Sequence, residues 1–279
     1  MRLQGSVAAV TGAGSGIGRA LALCLARRGC GVSISDVSAE GLEGTRVELA
    51  RMGVDALVRR VDVREREAVE AWAAETVERF GRVEVIVNNA GVSLAETVEQ
   101  MSDEDLRWVM DINFWGVVHG TQAFLPRIKE AGRGCVVNIS SVFGLIGVPT
   151  QSAYNASKFA VRGLTEALGQ ELALEGEEVW AMCVHPGGIN TNIARAGRFG
   201  KIEGILGTRE AITDLFYRSA RTSSEQAAEA IARGLERRIP RVLIGADAVA
   251  IDLIQRALPL GYRRVLLAGV RRVQRAGRR

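Results

Sequence analysis

Short apolar runs alternate along this chain with longer segments in which apolar residues recur every three or four positions. The short runs predict strands at Val7–Thr11, Val32–Ser35, Ala56–Val61, Val83–Asn88, Cys135–Ser140, Val179–Val184 and Val242–Ile244. The longer segments predict helices at Ile17–Arg28, Ala39–Met52, Glu65–Phe80, Asp103–Glu130, Ala153–Glu175 and Ser224–Arg237. Because strands and helices alternate, we predict a single α/β domain with a doubly wound parallel sheet of about seven strands flanked by helices.

The periodicity weakens after Pro186, over a segment of about 188–222 that is rich in Gly and Arg. We predict that this segment is a loop that covers a substrate. Residues 1–250, including this loop, are assigned to one catalytic domain, and residues 251–279 to a basic C-terminal extension. Segments expected to line the pocket are mostly apolar: Val142, Phe143, Leu145, Ile146, Val148, Ile193, Phe199, Ile202, Ile205, Leu206 and Phe216.

The charge of the chain is concentrated at its C-terminal end. The formal net charge is +4, but residues 261–279 carry seven arginines and no acid, which leaves the rest of the chain at −3. A mildly acidic domain with a basic tail gives no case for nucleic-acid binding. The 47% hydrophobic content and 24% charged content are typical of a globular domain with a substantial core.

The cysteines and histidines indicate neither disulfides nor a metal site. Cys24, Cys30, Cys135 and Cys183 lack a C-x-x-C spacing, and the chain has only 2 histidines. The chain enters an apolar strand within a few residues of Met1, which leaves no room for a secretory signal. Without a long apolar run for a membrane span, we expect a cytoplasmic protein with reduced, mostly buried cysteines.

A glycine-rich segment, Thr11–Gly18, follows the first predicted strand and opens the first predicted helix. Glycines there permit a tight turn and let backbone N–H groups approach a pyrophosphate at the helix N-terminus. A plain strand-to-helix turn is the alternative interpretation. The position of the loop between the first strand and the first helix favours dinucleotide binding.

Two aspartates that follow later strands bear on the type of dinucleotide. Asp36 lies 18 residues beyond Gly18, where a carboxylate accepts hydrogen bonds from ribose hydroxyls and repels a 2′-phosphate. This favours NAD over NADP, although Asp36 also suits a turn or helix cap and Arg19 keeps NADP open. Asp62 is placed to reach the adenine, with a solvated strand-end aspartate as the alternative.

Tyr154 and Lys158 lie four residues apart, so a helix places both side chains on one face. A nearby ammonium favours the phenolate and brings the tyrosine pKa closer to working pH, as an acid/base requires. Surface packing alone could also give this spacing. However, the chain has only three lysines among 36 basic residues, so a lysine here indicates a need for an ammonium that arginine does not meet.

Two adjacent serines end the strand that precedes Tyr154. Ser141 lies 13 residues before Tyr154, and strand ends in such sheets face the ligand crevice. Its hydroxyl is therefore a candidate to hydrogen-bond a substrate oxygen. Ser140 is the competing choice, and an ordinary turn serine is the third.

Taken together, these motifs resemble the classical short-chain dehydrogenases/reductases in order and spacing over about residues 5–245. The matching positions are Thr11–Gly18 as T-G-x-x-x-G-x-G, Asn88–Gly91 as N-N-A-G, Asn113, Ser141, Tyr154 and Lys158 as Y-x-x-x-K, and Pro186–Gly187. The resemblance implies a Rossmann-like fold. His185 stands where the family often has Asn, and no member of the catalytic set departs from the pattern.

The resemblance also implies a role for each matching position. Tyr154 becomes the general acid/base, Ser141 the partner of the substrate oxygen, and Lys158 the residue that holds the nicotinamide ribose and lowers the Tyr154 pKa. Asn113 orders a water for proton relay. The cofactor set becomes Gly12, Ser15, Gly16, Ile17, Gly18, Asp36, Asp62, Val63, Asn89, Ala90, Gly91, Tyr154, Lys158, Pro186, Gly187, Ile189 and Thr191.

The expected function is an NAD(P)-dependent oxidoreductase, with NAD favoured, that interconverts an alcohol and its ketone or aldehyde without a metal. A secondary alcohol with a hydrophobic body is the expected substrate. The family further implies a homo-oligomer, a tetramer or dimer. The alternatives are a non-catalytic dinucleotide-binding sensor and a peripheral membrane protein. For the last, Tyr262, Leu266, Val270 and Val273 form an apolar helical face among arginines.

Overall fold

The computed structural model describes residues 1–200, 209, 213–214, 217–218 and 220–276. In these ranges the strands are β1 (Val7–Thr11), β2 (Gly31–Asp36), β3 (Leu57–Arg60), β4 (Val85–Asn88), β5 (Leu94–Ala95), β6 (Gly134–Ile139), β7 (Val179–Pro186), β8 (Arg198–Phe199) and β9 (Arg241–Ile244). The helices are α1 (Gly16–Arg27), α2 (Ala39–Arg51), α3 (Arg66–Phe80), α4 (Asp103–Met110), α5 (Gly116–Glu130), α6 (Ser152–Glu175), α7 (Ile193–Ala196), α8 (Ser224–Glu236), α9 (Ala246–Ala257) and α10 (Tyr262–Ala276). A π-helical turn at Asp111–Trp115 joins α4 to α5.

Seven strands form one sheet in the order β3-β2-β1-β4-β6-β7-β9, and every pairing in it is parallel. The chain builds outward from β1 to β3 and then returns to β4 on the other side of β1. This reversal opens a crevice at the carboxyl ends of β1 and β4, where ligands bind in doubly wound sheets. The predicted Rossmann-like fold is therefore confirmed.

Both faces of the sheet are buried, which explains why its strands read as continuous apolar runs. In β1, Ala8 and Val10 face a core formed with α1, α2 and α8, whereas Val7 and Ala9 face a core formed with α3, α5 and α6. In the second core, the Trp72 and Phe124 rings meet edge to face with centroids 4.9 Å apart. The two helical layers hold the carboxyl ends of the strands in fixed positions.

The helix predicted over Asp103–Glu130 is interrupted by the π-helical turn. Local periodicity does not reveal this interruption because its cause is a contact distant in sequence. The Asn113 side chain accepts a bond from the Val92 backbone N (2.8 Å) and donates one to the Val92 carbonyl (2.9 Å). A π-helical turn inside a helix commonly accompanies a functional site.

Two helices follow the last strand of the sheet. Helix α9 buries Ala248 and Asp252, and the domain boundary predicted at residue 250 falls inside this helix. Helix α10 follows after a four-residue loop and is tied to the body by Tyr262, whose hydroxyl accepts a bond from the Gly147 N (3.1 Å). All four cysteines are free and buried. Within the ranges given above, no helix combines the length and apolarity needed to cross a membrane.

Candidate active site

The parallel sheet brings the predicted site residues to one edge. Gly12 follows β1, Asn89 follows β4, Ser141 follows β6 and Gly187 follows β7, and all these strands end at the same side of the sheet. Helix α6 begins at this edge and carries Tyr154 in its first turn. Residues scattered over most of the sequence therefore share one crevice.

The glycine loop is shaped for close backbone approach. Gly12 has φ +64°, a conformation that L side chains rarely adopt, and a Cβ on Gly18 would lie 2.2 Å from the Gly12 carbonyl oxygen. Ser15, the N-cap residue of α1, makes no side-chain bond to the helix. The N–H groups of the first turn of α1 are thus presented to the crevice, as a pyrophosphate requires.

Thr11 locks the glycine loop onto the loop after β4. Its hydroxyl accepts bonds from the Asn89 N (2.9 Å) and the Ala90 N (3.0 Å). In return, Asn89 Nδ2 donates to the carbonyl oxygens of Thr11 (3.0 Å) and Gly12 (3.3 Å). No separate role was predicted for Thr11 from the sequence, although its place at the start of the glycine motif was an available signal.

Asp36 lines a cleft of about 550 Å³ beside the glycine loop. Its Oδ2 accepts a bond from the Gly14 N (2.8 Å) and its Oδ1 accepts one from the Ser38 N (2.9 Å). The cap of α2 is Ser38, whose hydroxyl accepts a bond from the Gly41 N, so Asp36 is not itself the helix cap. The binding of a ribose by Asp36 stays a prediction.

Arg19, the residue that kept NADP open, is directed toward backbone groups. Its guanidinium donates to the carbonyl oxygens of Gly14 (2.5 Å) and Gly41 (3.1 Å) and to the Thr45 hydroxyl (3.0 Å). Glu48 lies 3.8 Å away as an ion partner. These contacts assign Arg19 a part in joining the glycine loop to α2.

Asp62 and Val63 follow β3 and have different surroundings. The Arg64 guanidinium pairs with Asp62 (2.6 Å), and this hydrogen bond lowers the pKa of the Asp62 carboxyl. Val63 is buried against Gly116, and its carbonyl lies 2.9 Å from His119 Nδ1. The contact of Asp62 with the adenine stays a prediction.

Ser141, Tyr154 and Lys158 converge at the start of α6. The Ser141 side chain lies near enough to the Tyr154 hydroxyl to lower its pKa, and Lys158 Nζ lies 5.6 Å from the centre of the Tyr154 ring. Lys158 is almost fully buried and donates to the Ile139 carbonyl (2.9 Å). The three groups that the spacing predicted thus lie together.

The structure also separates Ser141 from its neighbour. The Ser140 hydroxyl donates to the Lys158 carbonyl (2.8 Å) and is buried behind the helix. The Ser141 hydroxyl instead accepts a bond from the Phe143 N (3.1 Å) and contacts Tyr154. Ser140 therefore has a structural role, whereas the Ser141 hydroxyl lies near Tyr154, the acid/base candidate.

The pKa values of the pair differ from the sequence expectation. Burial raises the pKa of the Tyr154 hydroxyl to about 12, against a smaller lowering by the Ser141 hydrogen bond. Burial also lowers the pKa of the Lys158 ammonium to about 8. The expected fall of the Tyr154 pKa is absent because loss of hydration disfavours the charged form of each group.

Asn113 lies beside Lys158 although it comes from a different helix. Its Nδ2 also donates to the Ser157 hydroxyl (3.1 Å). A Cβ on Gly91 would lie 3.2 Å from Asn113 Oδ1 and 3.5 Å from Lys158 Nζ, so Gly91 lies between the two polar groups. The ordering of a water by Asn113 stays a prediction.

Asn155 is a site residue that the sequence analysis missed. Its Nδ2 donates to the carbonyls of Phe143 (2.7 Å) and Ile146 (2.8 Å), and its Oδ1 accepts a bond from the Val148 N (3.0 Å). It thereby fixes the loop that follows Ser141. A polar residue directly after Tyr154, in a segment predicted as helix, was the available signal.

The segment after β7 begins at the same edge of the sheet and carries the residues predicted for the nicotinamide side. The Gly187 N donates to the Ile244 carbonyl (2.9 Å), and Ile189 is buried. Thr191 lies beside the glycine loop, since a Cβ on Gly16 would be 3.3 Å from its methyl carbon. Of the predicted lid, α7 and β8 are seen, and β8 pairs with β5. The predicted pocket residues Ile202, Ile205, Leu206 and Phe216 lie outside the described residues.

His185 supports the backbone of Ser141 from inside the core. Its Nδ1 lies 3.1 Å from the Ser141 carbonyl oxygen, the residue is fully buried, and its Nε2 has no hydrogen-bond partner in the described part of the chain. Burial lowers the pKa of His185 from 6.5 to about 4. The imidazole is therefore neutral at pH 7.

Acidification from pH 7 toward pH 4 should destabilise the protein through His185. The unfolded chain takes up a proton near the ordinary histidine pKa, whereas folded His185 takes it up only near 4. The full difference corresponds to about 3 kcal/mol of unfolding free energy. Urea unfolding at pH 7 and pH 5 should show a smaller loss for His185→Asn than for the wild type. The control His119→Asn should lose as much as the wild type, and an equal loss in all three contradicts the prediction.

Comparisons with known proteins agree with this geometry. Residues 6–199 match the short chain dehydrogenase family. Over 269 residues the chain is 46% identical to a Mycobacterium tuberculosis protein named as oxidoreductase SadH, covering 96% of each chain.

Two solved structures have the same fold. One is a short-chain dehydrogenase/reductase from Burkholderia phymatum in complex with NAD, at 30% identity, TM-score 0.85 and coverage of 92% of this chain and 95% of that one. The other is an alcohol dehydrogenase from Thermococcus sibiricus complexed with 5-hydroxy-NADP, at 28% identity, TM-score 0.70 and coverage of 86% and 95%. The chain therefore belongs to the short-chain dehydrogenase/reductase family of oxidoreductases.

Proposed function

We propose that this protein is an NAD-dependent dehydrogenase that interconverts a hydrophobic secondary alcohol and its ketone. The observation that carries the proposal is the cluster of Ser141, Tyr154 and Lys158 at the carboxyl edge of the sheet, with Lys158 Nζ 5.6 Å from the centre of the Tyr154 ring. These groups suit proton exchange with a substrate oxygen, and the adjoining glycine loop suits a dinucleotide.

The residues around the crevice fit a dinucleotide in three respects. The glycine loop leaves no room for side chains at Gly12 and Gly18. The Asp36 carboxylate lines the cleft next to that loop. Buried Lys158 gives one hydrogen bond, to Ile139, within the described part of the chain, and an ammonium has three donors. We assign pyrophosphate binding to Gly12, Ser15, Gly16, Ile17 and Gly18, adenosine binding to Asp36, Asp62 and Val63, and binding of the nicotinamide half to Asn89, Ala90, Gly91, Tyr154, Lys158, Pro186, Gly187, Ile189 and Thr191.

Bound NAD supplies a hydride acceptor at the nicotinamide C4, and NADH returns the hydride. In the direction of oxidation, the substrate hydroxyl gives its proton to the Tyr154 oxygen while the C–H bond of the carbinol breaks with its electron pair. The Ser141 hydroxyl donates a hydrogen bond to the substrate oxygen and fixes its position. The Lys158 ammonium, about one helical turn from Tyr154, stabilises the phenolate. Reduction is the reverse of these steps.

An apolar substrate is supported by the surroundings of Tyr154. The Phe143 ring meets the Tyr154 ring edge to face at 6.0 Å, and Ile193 and Phe199 of the segment after β7 are only partly buried. Val142, Leu145 and Ile146, in contrast, are buried and pack the loop itself. A homo-oligomer and a cytoplasmic location stay predictions.

The direct test is a spectrophotometric screen of alcohols, ketones, steroids and retinoids with each coenzyme. We expect turnover of at least one class of secondary alcohol or ketone, at a higher kcat/KM with NAD or NADH than with the phosphorylated coenzyme. A folded protein that binds NADH and turns over no member of the panel contradicts the proposal, and it favours the non-catalytic sensor.

The coenzyme preference should depend on Asp36. In Asp36→Asn, loss of the carboxylate weakens the bonds to the ribose hydroxyls and removes the repulsion of a 2′-phosphate, and the ratio of kcat/KM for NAD to that for NADP should fall by about tenfold or more. Glu40→Gln is the matched control, because Glu40 lines the same cleft, does not bond to the glycine loop and should leave the ratio unchanged. An equal change in both variants would assign the preference to the general field of the cleft.

A further inference from the structure

The C-terminal helix pair, which comprises α9, the loop 258–261 and α10, exposes an unusual amount of apolar surface. Seven large apolar side chains along it are between 38% and 73% exposed: Val249 (44%), Leu253 (59%), Ile254 (38%), Leu258 (51%), Leu260 (73%), Val265 (59%) and Leu267 (41%). Val249 and Leu253 lie four residues apart on α9 and so share one face, which is exposed. Ala248 and Asp252, by contrast, are buried. Exposed large apolar side chains that recur along one segment in this way indicate an interaction site.

The same segment carries no acid after Asp252. From residue 253 to residue 279 the sequence has eight arginines and no acid. Arg256, Arg263, Arg264 and Arg271 are exposed on the described part of the helix pair. The two acids that precede them in α9 are occupied, since Asp252 pairs with Arg241 (2.6 Å) and Arg256 (3.8 Å), and Asp247 accepts a bond from the Gly188 N (2.6 Å). The apolar surface therefore has a basic rim.

The orientation of α10 differs from what the tail sequence alone indicated. Tyr262, Leu266 and Val270, which the sequence analysis offered as a membrane face, are half-buried, and Tyr262 is bonded to Gly147. The exposed apolar side chains of α10 are Val265 and Leu267, at the flanks of that face. The most exposed large apolar side chain of the described part of the helix pair is Leu260, which lies in the loop between the helices together with Leu258.

We propose that the C-terminal helix pair is a docking surface for an anionic lipid bilayer. Leucines at a loop tip next to exposed arginines match the apolar interior and the negative headgroups of such a surface. A second copy of the same surface is disfavoured because two arginine-rich patches would face each other across a two-fold axis. A nucleic acid would satisfy the arginines and leave the leucines exposed to water.

The position of the helix pair relates this surface to the crevice. Gly147, which holds Tyr262, belongs to the loop after β6, and Gly188, which holds Asp247, belongs to the loop after β7. The helix pair is therefore fastened to the two loops that flank Ser141 and the nicotinamide side. Docking would bring these loops close to the membrane, where apolar alcohols and ketones accumulate.

The test is co-sedimentation of the full chain with vesicles of phosphatidylcholine and phosphatidylglycerol, compared with phosphatidylcholine alone. We expect binding to the anionic vesicles, weaker binding at high salt and little binding to the neutral vesicles. The double variant Leu258→Ser, Leu260→Ser should bind these vesicles at least about tenfold more weakly than the wild type. The double variant Arg263→Glu, Arg264→Glu should show a similar loss. The controls Leu174→Ser, at a leucine that is 91% exposed on α6, and Arg51→Glu, on α2, should bind like the wild type.

Several results would overturn the inference. One is an absence of binding to anionic vesicles, and another is a leucine variant that binds as well as the wild type. A third is binding of a DNA duplex that is lost in the arginine variant and kept in the leucine variant. A fourth is dissociation of an oligomer by Leu258→Ser, Leu260→Ser on size exclusion, which would assign the surface to self-association. Circular dichroism confirms folding, and turnover measured without vesicles reports separately on the proposed function.

Discussion

Replacing Tyr154 with phenylalanine is expected to reduce kcat by about a thousandfold or more while leaving the Kd for NADH within a fewfold of the wild-type value. The substitution removes a single oxygen, the one that lies near the Ser141 side chain. Without that oxygen the substrate hydroxyl has no group at hand to take its proton. The ring, its contact with Phe143 and the packing of α6 are retained, so the cofactor crevice should keep its shape.

The matched control is Tyr262→Phe, which makes the same chemical change at another tyrosine. Its hydroxyl accepts one bond, from the Gly147 N, on the outside of the crevice. We expect kcat to fall by no more than about threefold, because only one neutral hydrogen bond is lost. Turnover by purified enzyme and NADH titration by fluorescence give both quantities. Near-normal kcat in Tyr154→Phe would remove Tyr154 from the chemistry, and an equal loss in both variants would indicate a disturbed loop.

The fold and the cofactor edge were predictable because both depend on local pattern. Apolar runs separated by helical segments give the parallel sheet, and a parallel sheet places the ends of β1, β4, β6 and β7 together. Gly12 and Gly18 could be found from spacing alone, since a tight strand-to-helix turn requires them. The seven-stranded order was confirmed in the structure.

Contacts between distant segments were not predictable in this way. Periodicity runs unbroken through Asn113, and only its bonds to Val92 reveal why the helix changes to a π-helical turn there. Ser140 and Ser141 are chemically identical neighbours, and their roles separate only once Ser140 is found bonded to the Lys158 carbonyl. The apolar stripe of α10 was visible in sequence, whereas the side of it that faces the body depends on Tyr262 reaching Gly147.

The charge states of the catalytic pair show the same limit. Spacing correctly placed an ammonium near the Tyr154 ring, at 5.6 Å. It could not show that both groups are dehydrated, and dehydration raises the pKa of Tyr154 and lowers that of Lys158. Each group is thus biased toward its neutral form.

Of the two catalytic groups, Lys158 is the one that titrates near working pH. Its replacement should reduce activity more than any substitution other than Tyr154→Phe. Because burial lowers the pKa of Lys158 to about 8, the free enzyme loses the ammonium as the pH rises above that value. NADH bound through the ammonium should then bind more weakly, with Kd rising by up to about tenfold per pH unit above the pKa. Tyr154, with a pKa raised to about 12, does not titrate in this range.

Lys158→Met should therefore show a Kd for NADH that is weaker by about tenfold at pH 7 and independent of pH from 7 to 10, together with a kcat lower by about a hundredfold. Lys158→Arg should not restore activity, because the larger guanidinium remains charged and does not fit a site that buries a compact ammonium. Lys129→Met, at a surface lysine paired with Glu175, is the control and should keep the wild-type profile. The assignment fails if the wild-type Kd for NADH does not change with pH across this range. It also fails if Lys158→Met retains both the pH dependence and the turnover. Either result would mean that no titrating ammonium at this position holds the coenzyme.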